Sequence, residues 1–536
     1  MSKDNNFLKG AAILGIAGII VKILGAIYRI PLSNIIKPEG MGYYQTAYPF
    51  YNLLLTFSTA GFPVAIAKLV SEKRATGDYR SAHKVFKVAL TGLSIGGILT
   101  SLFLLISAKS IVENIGNSNA YYALIALVPA LLFVPIMSAF RGFFQGRKTM
   151  APTAISQVVE QLFRVAIGLG LTMFLLRYGI PVAAGGASFG GSIGGMAGAL
   201  TILYVYIKNR KTIITEINQS TIHKEYPVSR IVRDLLVIAI PITIGAAIAP
   251  IMDTIDAALV LRRLQTIGFS EKIANDLYGQ LKGMAQTLIN LPQVFSIAIS
   301  MSMVPSISDA FARKNKNEIK ELISSGVRIT LLIGLPCAFG LFVLSTPIIE
   351  LLYFNNTLET IKSTGEILAY LSFGVIFLTL VQTLTAILQG LGKPFIPVRN
   401  LALGAIVKVI LTYTLTAIPS INVKGAAIST VAAYAIASTF DFISAIKITR
   451  VKVNYKNVIL KPLISAVGMA IFTRVGYIIL NGLIGSKLST LVSICIGIIT
   501  YVILLIITGS ITEEDFNIIP KGDKLAAKLN RFKIFK

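Results

Sequence analysis

Lysine, arginine and glutamate side chains interrupt several long apolar segments of this sequence, where charge is costly. Lys22 and Arg29 are seven residues apart, so a helix would place them on one face, two turns apart. Glu160 and Arg164 have i,i+4 spacing, and Lys408 lies inside a later apolar segment. Because cations outnumber anions here and bind phosphate through charge-assisted hydrogen bonds, this set indicates an anionic substrate.

Some of these residues also have a structural interpretation. Glu160 and Arg164 can form an ion pair within one helix. Lys68 and Lys282 lie near the ends of apolar segments, where a lysine can extend its ammonium group to the membrane interface. All four are retained as candidate substrate contacts, because each could equally line a cavity that receives an anion.

Two carboxylates, Asp253 and Asp256, are three residues apart in another apolar segment and therefore close on one helical face. Carboxylates inside a membrane span suit a coupling cation, either sodium or a proton. Pairing with Arg262 or with a nearby lysine is the alternative. Cys337 and Cys495 both lie in apolar segments, which predicts no disulfide framework and no metal site beyond that sodium.

The elements that must position these residues are fourteen apolar segments, each long enough to cross a bilayer. Only helices and closed barrels satisfy their own backbone in lipid, and long apolar runs without two-residue alternation exclude a barrel. The sequence therefore predicts an all-α, polytopic membrane protein with about 14 transmembrane helices. The predicted spans are 10–36, 43–70, 84–108, 120–144, 152–177, 181–208, 230–261, 278–310, 320–345, 361–390, 395–418, 424–448, 458–483 and 487–510.

Basic residues are distributed unevenly between these spans. When residues at span ends are included, one side of the membrane receives 33 of the 50 lysines and arginines, and the other receives 9. This bias predicts that both termini are cytoplasmic. The net charge of +26 then reflects topology and contact with anionic membrane lipids, so nucleic acid is not expected as a partner.

An internal repeat recurs at an offset of about 242 to 245 residues. Residues 61–63 precede a basic loop, as residues 303–305 do, and residues 145–148 precede a proline, as residues 389–393 do. Both halves begin on the same side of the membrane, which predicts two six-helix lobes in a parallel pseudo-repeat around a cavity. The predicted divisions are an N-terminal lobe (1–210), a cytoplasmic linker (211–229), a C-terminal lobe (230–450), two additional spans (451–510) and a basic cytoplasmic tail (511–536).

The sixth predicted span is rich in glycine. Gly190, Gly194 and Gly198 repeat every four residues, as Gly191 and Gly195 do. A phosphate-binding loop would need a preceding strand and a following Lys-Ser/Thr pair, which are missing here. The spacing instead predicts a face for close helix packing.

Aromatic residues cluster near the start of the second predicted span. Tyr43, Tyr44, Tyr48 and Tyr51 are interpreted as anchors at the membrane interface rather than as a stacking surface for substrate. His83 lies in a basic connection and is expected to be solvated.

Four short motifs are distinctive: KILGAIYR at 22–29, PEGMGY at 38–43, GFPVAIAKLVSE at 61–72 and FRGFFQG at 140–146. With them, the sequence resembles the multidrug/oligosaccharidyl-lipid/polysaccharide exporter superfamily. The resemblance is to the branch that contains stage V sporulation protein B and the MurJ-type lipid II flippases, and it extends over the full length.

The resemblance implies two lobes that work by alternating access. It also implies translocation of an undecaprenyl-pyrophosphate-linked sugar from the cytoplasmic to the outer leaflet of the bacterial plasma membrane. In the family, a cationic cavity holds the pyrophosphate, and a groove beside the last two spans holds the lipid tail. Lys22 falls on a basic cavity position, and the second basic position falls at Tyr28, beside Arg29. Asp253 falls near the sodium position, with Asn400 as its candidate partner.

We therefore expect a flippase rather than an enzyme, with lipid II or a related peptidoglycan precursor as its cargo. No catalytic residue and no cofactor are expected, and coupling would use Na⁺, H⁺ or the membrane potential. Expected partners are the polyprenyl-linked anionic lipid, membrane lipids and cell-wall synthesis enzymes. The alternatives are a cation-coupled multidrug antiporter of the same superfamily, which would need an acidic or apolar cavity, and an exporter of another cell-envelope polysaccharide lipid.

Overall fold

The computed structural model describes the backbone of residues 2–220, 226–451 and 454–510, and the side chains in these ranges from residue 13 onward. Within the described ranges all regular secondary structure is helical, as predicted. The predicted basic cytoplasmic tail, 511–536, lies outside the described residues. The chain divides into two compact units, Met1–Gly279 and Gln280–Lys536.

Ten α-helices belong to the first unit. They are α1 (Ser2–Thr59), α2 (Phe62–Ala75), α3 (Tyr79–Ile115), α4 (Tyr121–Ile125), α5 (Val128–Gly146), α6 (Ala151–Leu175), α7 (Ile180–Lys208), α8 (Arg210–Asn218), α9 (Val228–Thr266) and α10 (Glu271–Tyr278).

In the described residues of the second unit, 280–451 and 454–510, there are ten further α-helices. They are α11 (Gln286–Ile289), α12 (Gln293–Ala312), α13 (Lys316–Val343), α14 (Ser345–Leu352), α15 (Leu358–Ser372), α16 (Gly374–Gly390), α17 (Phe395–Leu415), α18 (Lys424–Thr449), α19 (Lys461–Ile484) and α20 (Ser486–Thr508). Short π-helical segments, Gly279–Ala285 and Lys456–Leu460, precede α11 and α19.

The number of membrane spans agrees with the sequence. Twelve helical segments of the described chain are long and apolar enough to cross a bilayer, and the bent pair α15 and α16 makes thirteen. Residues 13–75 are counted there as one segment of 63 residues. Because Lys37 has a non-helical conformation before Pro38, this segment divides into two crossings, which gives fourteen.

One predicted span is interrupted. Within the predicted span 278–310 the chain leaves the helix between Ile289 and Gln293. Pro292 lies in this break, where its ring cannot be accommodated inside a helix and its nitrogen cannot donate a hydrogen bond. The eighth span is therefore built from a π-helical turn, a short helix and α12.

The compact units do not follow the lobes drawn from the sequence repeat. Helix α9 was grouped with the second lobe, yet it packs against α1, α2 and α3 in the first unit. The amide of Gly61 donates to Thr243 Oγ1 at 3.2 Å, and a side chain at Gly61 would overlap the carbonyl of Ala239. This close approach fixes α9 beside the junction of α1 and α2.

Candidate functional site

A charged cluster lies in the first unit at the contact between α5 and α6. Glu160 accepts hydrogen bonds from Arg141 Nη2 at 3.0 Å and from Arg164 Nη2 at 3.1 Å. The side chains are partly accessible, at 14% for Arg141, 16% for Glu160 and 21% for Arg164. One carboxylate thus holds two guanidinium groups, and the Arg141–Glu160–Arg164 cluster keeps a net positive charge.

The glycine face of α7 positions this cluster. A Cβ at Gly194 would lie 2.5 Å from the carbonyl oxygen of Glu160, and a Cβ at Gly198 would lie 3.1 Å from the Glu160 Cβ. At Gly190 an added Cβ would overlap the backbone of Gly168 in α6. The predicted packing face is therefore confirmed, since only glycine lets α7 approach α6 this closely.

Tyrosines from α1 line the side of the cluster around Arg164. Tyr48 stacks at 4.6 Å from Tyr44 and 5.8 Å from Tyr51, measured between ring centroids. Tyr44 and Tyr51 are each only 2% exposed, so the interpretation of these residues as interfacial anchors is wrong. The small surface of α7 explains the burial, since Gly191 leaves room for the Tyr48 hydroxyl.

The basic residues of the first span lie on the helix face that meets α6. A Cβ at Gly25 would be 3.6 Å from Gln161 Nε2. Lys22 and Arg29 lie one turn before and one turn after Gly25, on the same stripe. Lys22 is exposed and Arg29 is half-buried. The structure therefore directs this stripe of α1 towards the helix that carries Glu160 and Arg164.

Tyr28 has a structural role in this arrangement. Its side chain is 2% exposed, and its hydroxyl donates to the carbonyl oxygen of Ala187 in α7 at 2.9 Å. Arg29 and Arg164 both lie within electrostatic range of this hydroxyl. Tyr28 therefore ties α1 to α7 and helps to bring the two arginines to the same region.

The other predicted lysines lie elsewhere. Lys68 on α2 forms an i,i+4 pair with Glu72 at 3.9 Å, with both side chains more than half exposed. Lys282 lies in the π-helical segment of the second unit, and Lys408 lies in α17, each 8% exposed. Lys68 thus has the surroundings of an interfacial lysine, whereas Lys282 and Lys408 are buried within the second unit.

The candidate coupling residues are found in two places. Asp253 is exposed on α9, and Asp256, one turn later, is 3% exposed. Asn400 on α17 is fully buried, donates to Asp441 Oδ1 at 2.8 Å and accepts from Arg399. Sequence reasoning missed Asp441, although it is a carboxylate inside a predicted span.

The carboxylates of the described residues do not form part of a metal-binding group. In the part of the chain that the structure describes, no group of three His, Cys, Asp or Glu side chains could hold a metal ion. The Asn400–Asp441 contact is therefore a hydrogen bond between buried side chains of α17 and α18.

An apolar cavity of about 420 Å³ lies in the second unit, among α13, α14, α19 and α20 and the break before α12. The one phenol in its wall, Tyr501, donates its hydroxyl to the carbonyl oxygen of Leu332 at 2.8 Å. The wall is formed by Leu288, Leu291, Pro292, Pro336, Cys337, Gly340, Leu341, Leu344, Ile348, Met469, Thr473, Ile494, Gly497, Ile498, Tyr501 and Val502. Such a surface suits a hydrocarbon chain rather than a polar ligand.

A second ion cluster lies where α2, α5 and α8 meet in the first unit. Glu216 accepts from Arg74 Nη1 and from Arg147 Nη1, each at 2.6 Å. Burial alone would raise the pKa of Glu216, but the hydrogen bonds from Arg74 and Arg147 outweigh it and lower that pKa. Sequence reasoning missed this Arg74–Glu216–Arg147 clamp, which joins residues more than sixty positions apart in the chain.

His83 lies close to this clamp and is not solvated as predicted. Its ring is 5.8 Å from Phe86 and 5.9 Å from Phe143, and it is parallel to the ring of Tyr206 at 6.4 Å. The expectation failed because α3 begins at Tyr79, earlier than predicted, so His83 faces neighbouring helices.

The fold defines a class: this is a multi-pass helical membrane protein. The chain belongs to the polysaccharide biosynthesis protein family, since the model of that family matches residues 7–311. A second family, MatE, matches residues 282–414. Together these matches assign the chain to the exporter superfamily named above, in the branch of stage V sporulation protein B and MurJ.

Relatives from Bacillus subtilis (strain 168) support this assignment. The uncharacterized membrane protein YabM is 30% identical over 98% of this chain and 96% of its own length. Stage V sporulation protein B is 29% identical over 84% of this chain and 85% of its own length. The lipid II flippase MurJ is 29% identical over 82% of each chain.

Solved structures share the fold. A lipid II flippase MurJ in an inward closed conformation has a TM-score of 0.69 at 19% identity, covering 92% of this chain and 98% of that one. An inward-facing multidrug resistance MATE family transporter has a TM-score of 0.66 at 16% identity, covering 81% and 98%. At these identities the likeness establishes the fold alone.

Proposed function

We propose that this protein is a flippase that moves a polyprenyl-pyrophosphate-linked sugar, lipid II or a related peptidoglycan precursor, from the inner to the outer leaflet by alternating access. The observation that carries the proposal is the presence of two chemically opposite sites in one chain. The Arg141–Glu160–Arg164 cluster suits a phosphate group, and the cavity of about 420 Å³ suits a hydrocarbon chain. A polyprenyl-pyrophosphate has both parts.

The charged cluster supplies the recognition in this scheme. Arg164 has an Nε that is buried and makes no hydrogen bond, so its guanidinium still has a donor to offer. With Lys22 and Arg29 on the facing stripe of α1, four basic side chains outnumber the single carboxylate of Glu160. Arginine binds phosphate oxygens in bidentate fashion, so a pyrophosphate would be held mainly by Arg141 and Arg164.

The apolar cavity has a different role. A lipid chain that moves from the bilayer into an apolar cavity exchanges one hydrocarbon surrounding for another, so it gains little hydrophobic free energy. The cavity therefore guides the chain by shape and contributes little affinity. In this proposal the first unit supplies the affinity for the pyrophosphate, and the second unit accommodates the length of the lipid chain.

The driving force would come from charge. An inside-negative potential favours outward movement of an anion by about 2.3 kcal/mol per charge per 100 mV. Asp253 and Asp256 are proposed to bind Na⁺ or H⁺ during the return step. Asn400 contacts Arg399 and also Asp441 of α18, so this proposal pairs Asn400 with α18. Asp441 is therefore added to the coupling candidates. The cytoplasmic location of both termini and contacts with cell-wall synthesis enzymes remain predictions.

The rival function is export of cationic drugs, which the shared fold with a MATE transporter brings into consideration. A cationic drug would need an accessible carboxylate. Glu160 is already held between two guanidinium groups, which repel a third cation. The first unit is therefore better suited to anions.

The test uses proteoliposomes that contain the purified protein and a fluorescent polyprenyl-pyrophosphate sugar. Outer-leaflet exposure of the lipid is expected with the wild type and should be lost in Lys22→Ala and Arg29→Ala variants. Lys109→Ala is the matched control, because Lys109 forms an exposed i,i+4 pair with Glu113 on α3 and should leave transport unchanged. Efflux of a cationic dye without any lipid movement would contradict the proposal and favour the antiporter.

A further inference from the structure

Helix α10 is docked on α1 with unusually close backbone contact. A Cβ at Gly42 would overlap the carbonyl oxygen of Asn275, and a Cβ at Gly279 would overlap the carbonyl oxygen of Pro38. Gly42 and Gly279 lie at two points along this contact. The main chain that follows the Lys37 kink therefore touches the main chain of α10 directly. Any side chain at Gly42 or Gly279 would separate them.

Buried asparagines join three elements at this contact. Asn275 is fully buried, and its Nδ2 donates to the carbonyl oxygen of Glu39 at 2.8 Å. Asn117, in the turn after α3, donates to Asn275 Oδ1 at 2.8 Å and lies 2.8 Å from Thr46 Oγ1. The turn after α3, α1 and α10 therefore meet at one side chain, that of Asn275.

Charged groups surround the same point. Lys272 Nζ lies 3.4 Å from Glu39 Oε2, and the Tyr43 hydroxyl donates to Glu39 Oε1 at 3.1 Å. The carboxylate of Asp276 is near Glu39, and its Oδ1 is buried without a hydrogen bond. The ammonium group of Lys272 therefore lies near two carboxylates, those of Glu39 and Asp276. Of the Asp276 carboxylate, the buried Oδ1 has no hydrogen-bond donor.

The titratable groups that face Asp276 are Glu39 and Tyr43 on α1 and Lys272 on α10. Burial, together with the charge of Glu39, raises the pKa of Asp276 to about 6, and the charge of Lys272 opposes this change. Because the pKa is raised in the closed contact, the proton stabilises that contact. The stabilisation is complete below the ordinary aspartate pKa and is lost as the pH rises through about 6.

We propose that Glu39, Lys272, Asn275 and Asp276 form a proton-dependent latch, the α10 latch, which holds α10 on α1 when Asp276 is protonated and releases it when Asp276 ionises. Ionised Asp276 would add a second negative charge beside Glu39 at an oxygen that has no donor. The inference is independent of the identity of the cargo.

The experiment is hydrogen–deuterium exchange of the full-length protein in lipid nanodiscs at pH 5 and pH 8, corrected for the intrinsic pH dependence of exchange. A closed-state pKa of about 6 and an open-state value near 3.8 predict that the opening equilibrium of α10 rises up to about tenfold between these pH values. Protection of residues 271–278 should therefore fall by up to about tenfold. Protection that is independent of pH in the wild type would overturn the latch.

Two variants sharpen this test. Asp276→Asn keeps the shape and removes the charge, so α10 should stay protected at pH 8, and a retained wild-type pH dependence would overturn the proposal. Glu39→Gln removes the neighbouring charge and should move the midpoint to lower pH, whereas an unchanged midpoint would overturn it. Asp309→Asn is the control, because Asp309 pairs with Arg313 on the exposed surface of the second unit.

Discussion

The Arg141–Glu160–Arg164 cluster of the first unit and the apolar cavity of the second unit are both built between long helices, but by opposite means. Around the cluster, α7 and α6 are drawn together by glycines until the backbone of Glu160 touches Gly194. Around the cavity, Gly340 leaves space that no side chain fills, since the nearest atom to a Cβ there would be Met469 Cε at 3.9 Å. Glycine thus brings charged side chains together in one unit and leaves space in the other. The side chains next to each glycine determine which of these two results is obtained.

The comparison also separates affinity from accommodation. Charge-assisted hydrogen bonds to a phosphate are directional and strong, so the first unit can select its ligand. An apolar wall inside a bilayer offers a chain only shape. The variants below perturb one unit and ask whether the other responds.

The largest effect is expected from Gly194→Leu. A side chain there would meet the Glu160 carbonyl oxygen, from which even a Cβ would be 2.5 Å away. Overpacking of this kind costs about 1–3 kcal/mol, and it would displace Glu160 as well. Thermal unfolding in detergent should show a lower Tm and transport should be lost. Gly170→Leu is the control, because open space surrounds Gly170, and an equal loss in that variant would refute the packing argument.

Arg164→Ala should have the next largest effect, on binding rather than folding. Hydrogen bonds to charged groups contribute about 1.5–3 kcal/mol, which corresponds to roughly tenfold to hundredfold in affinity. The affinity for a short-chain prenyl pyrophosphate, measured by calorimetry in nanodiscs, should fall by that amount. Arg177→Ala is the comparison, since Arg177 packs 4.3 Å from the ring of Phe174 at the far end of α6. Unaltered affinity in Arg164→Ala would place pyrophosphate recognition elsewhere.

Gly340→Leu probes the cavity alone. The nearest side-chain atom to a Cβ at this position is Met469 Cε at 3.9 Å, so leucine fits without strain and fills the cavity. Binding of the short-chain pyrophosphate should be unchanged, whereas transport of a long-chain lipid should fall severalfold. Gly482→Leu, in open space on α19, controls for the added leucine. Equal transport of long and short chains by Gly340→Leu would show that the cavity does not receive the tail.

The smallest effect is expected at the Arg74–Glu216–Arg147 clamp, which shares no residue with the charged cluster or with the cavity wall. Its ion pairs are about a fifth exposed and should contribute about 1 kcal/mol or less. Because the pKa of Glu216 is lowered, this contribution is present above the ordinary glutamate pKa and is lost as the pH falls through the lowered value. Glu216→Gln should therefore lower the Tm more at pH 7 than at pH 3.5, and an equal decrease at both values would exclude the ionic contribution.

Much of the fold could be predicted from the sequence. The spans follow from apolar length, and the α6–α7 contact follows from the four-residue spacing of glycines. The Glu160–Arg164 pair was also predictable, since i,i+4 residues meet on any helix. Each of these depends on residues that are near one another in the chain.

The remaining contacts could not be predicted, because they depend on how helices are rotated against one another. Arg141 reaches Glu160 from another helix, and the Tyr48 hydroxyl of α1 fits against Gly191 of α7. Asp441 meets Asn400 across forty-one positions. No local pattern encodes such meetings.

What the sequence by itself determined was therefore the membrane class, the helices and a surplus of cations inside them. The tertiary structure decided which cations share Glu160, where the empty apolar space lies and how α10 is held on α1. The physical reason is that hydrophobic length and helical periodicity are local properties of the chain. The pairing of buried charges and the filling of space are instead settled only when distant helices pack.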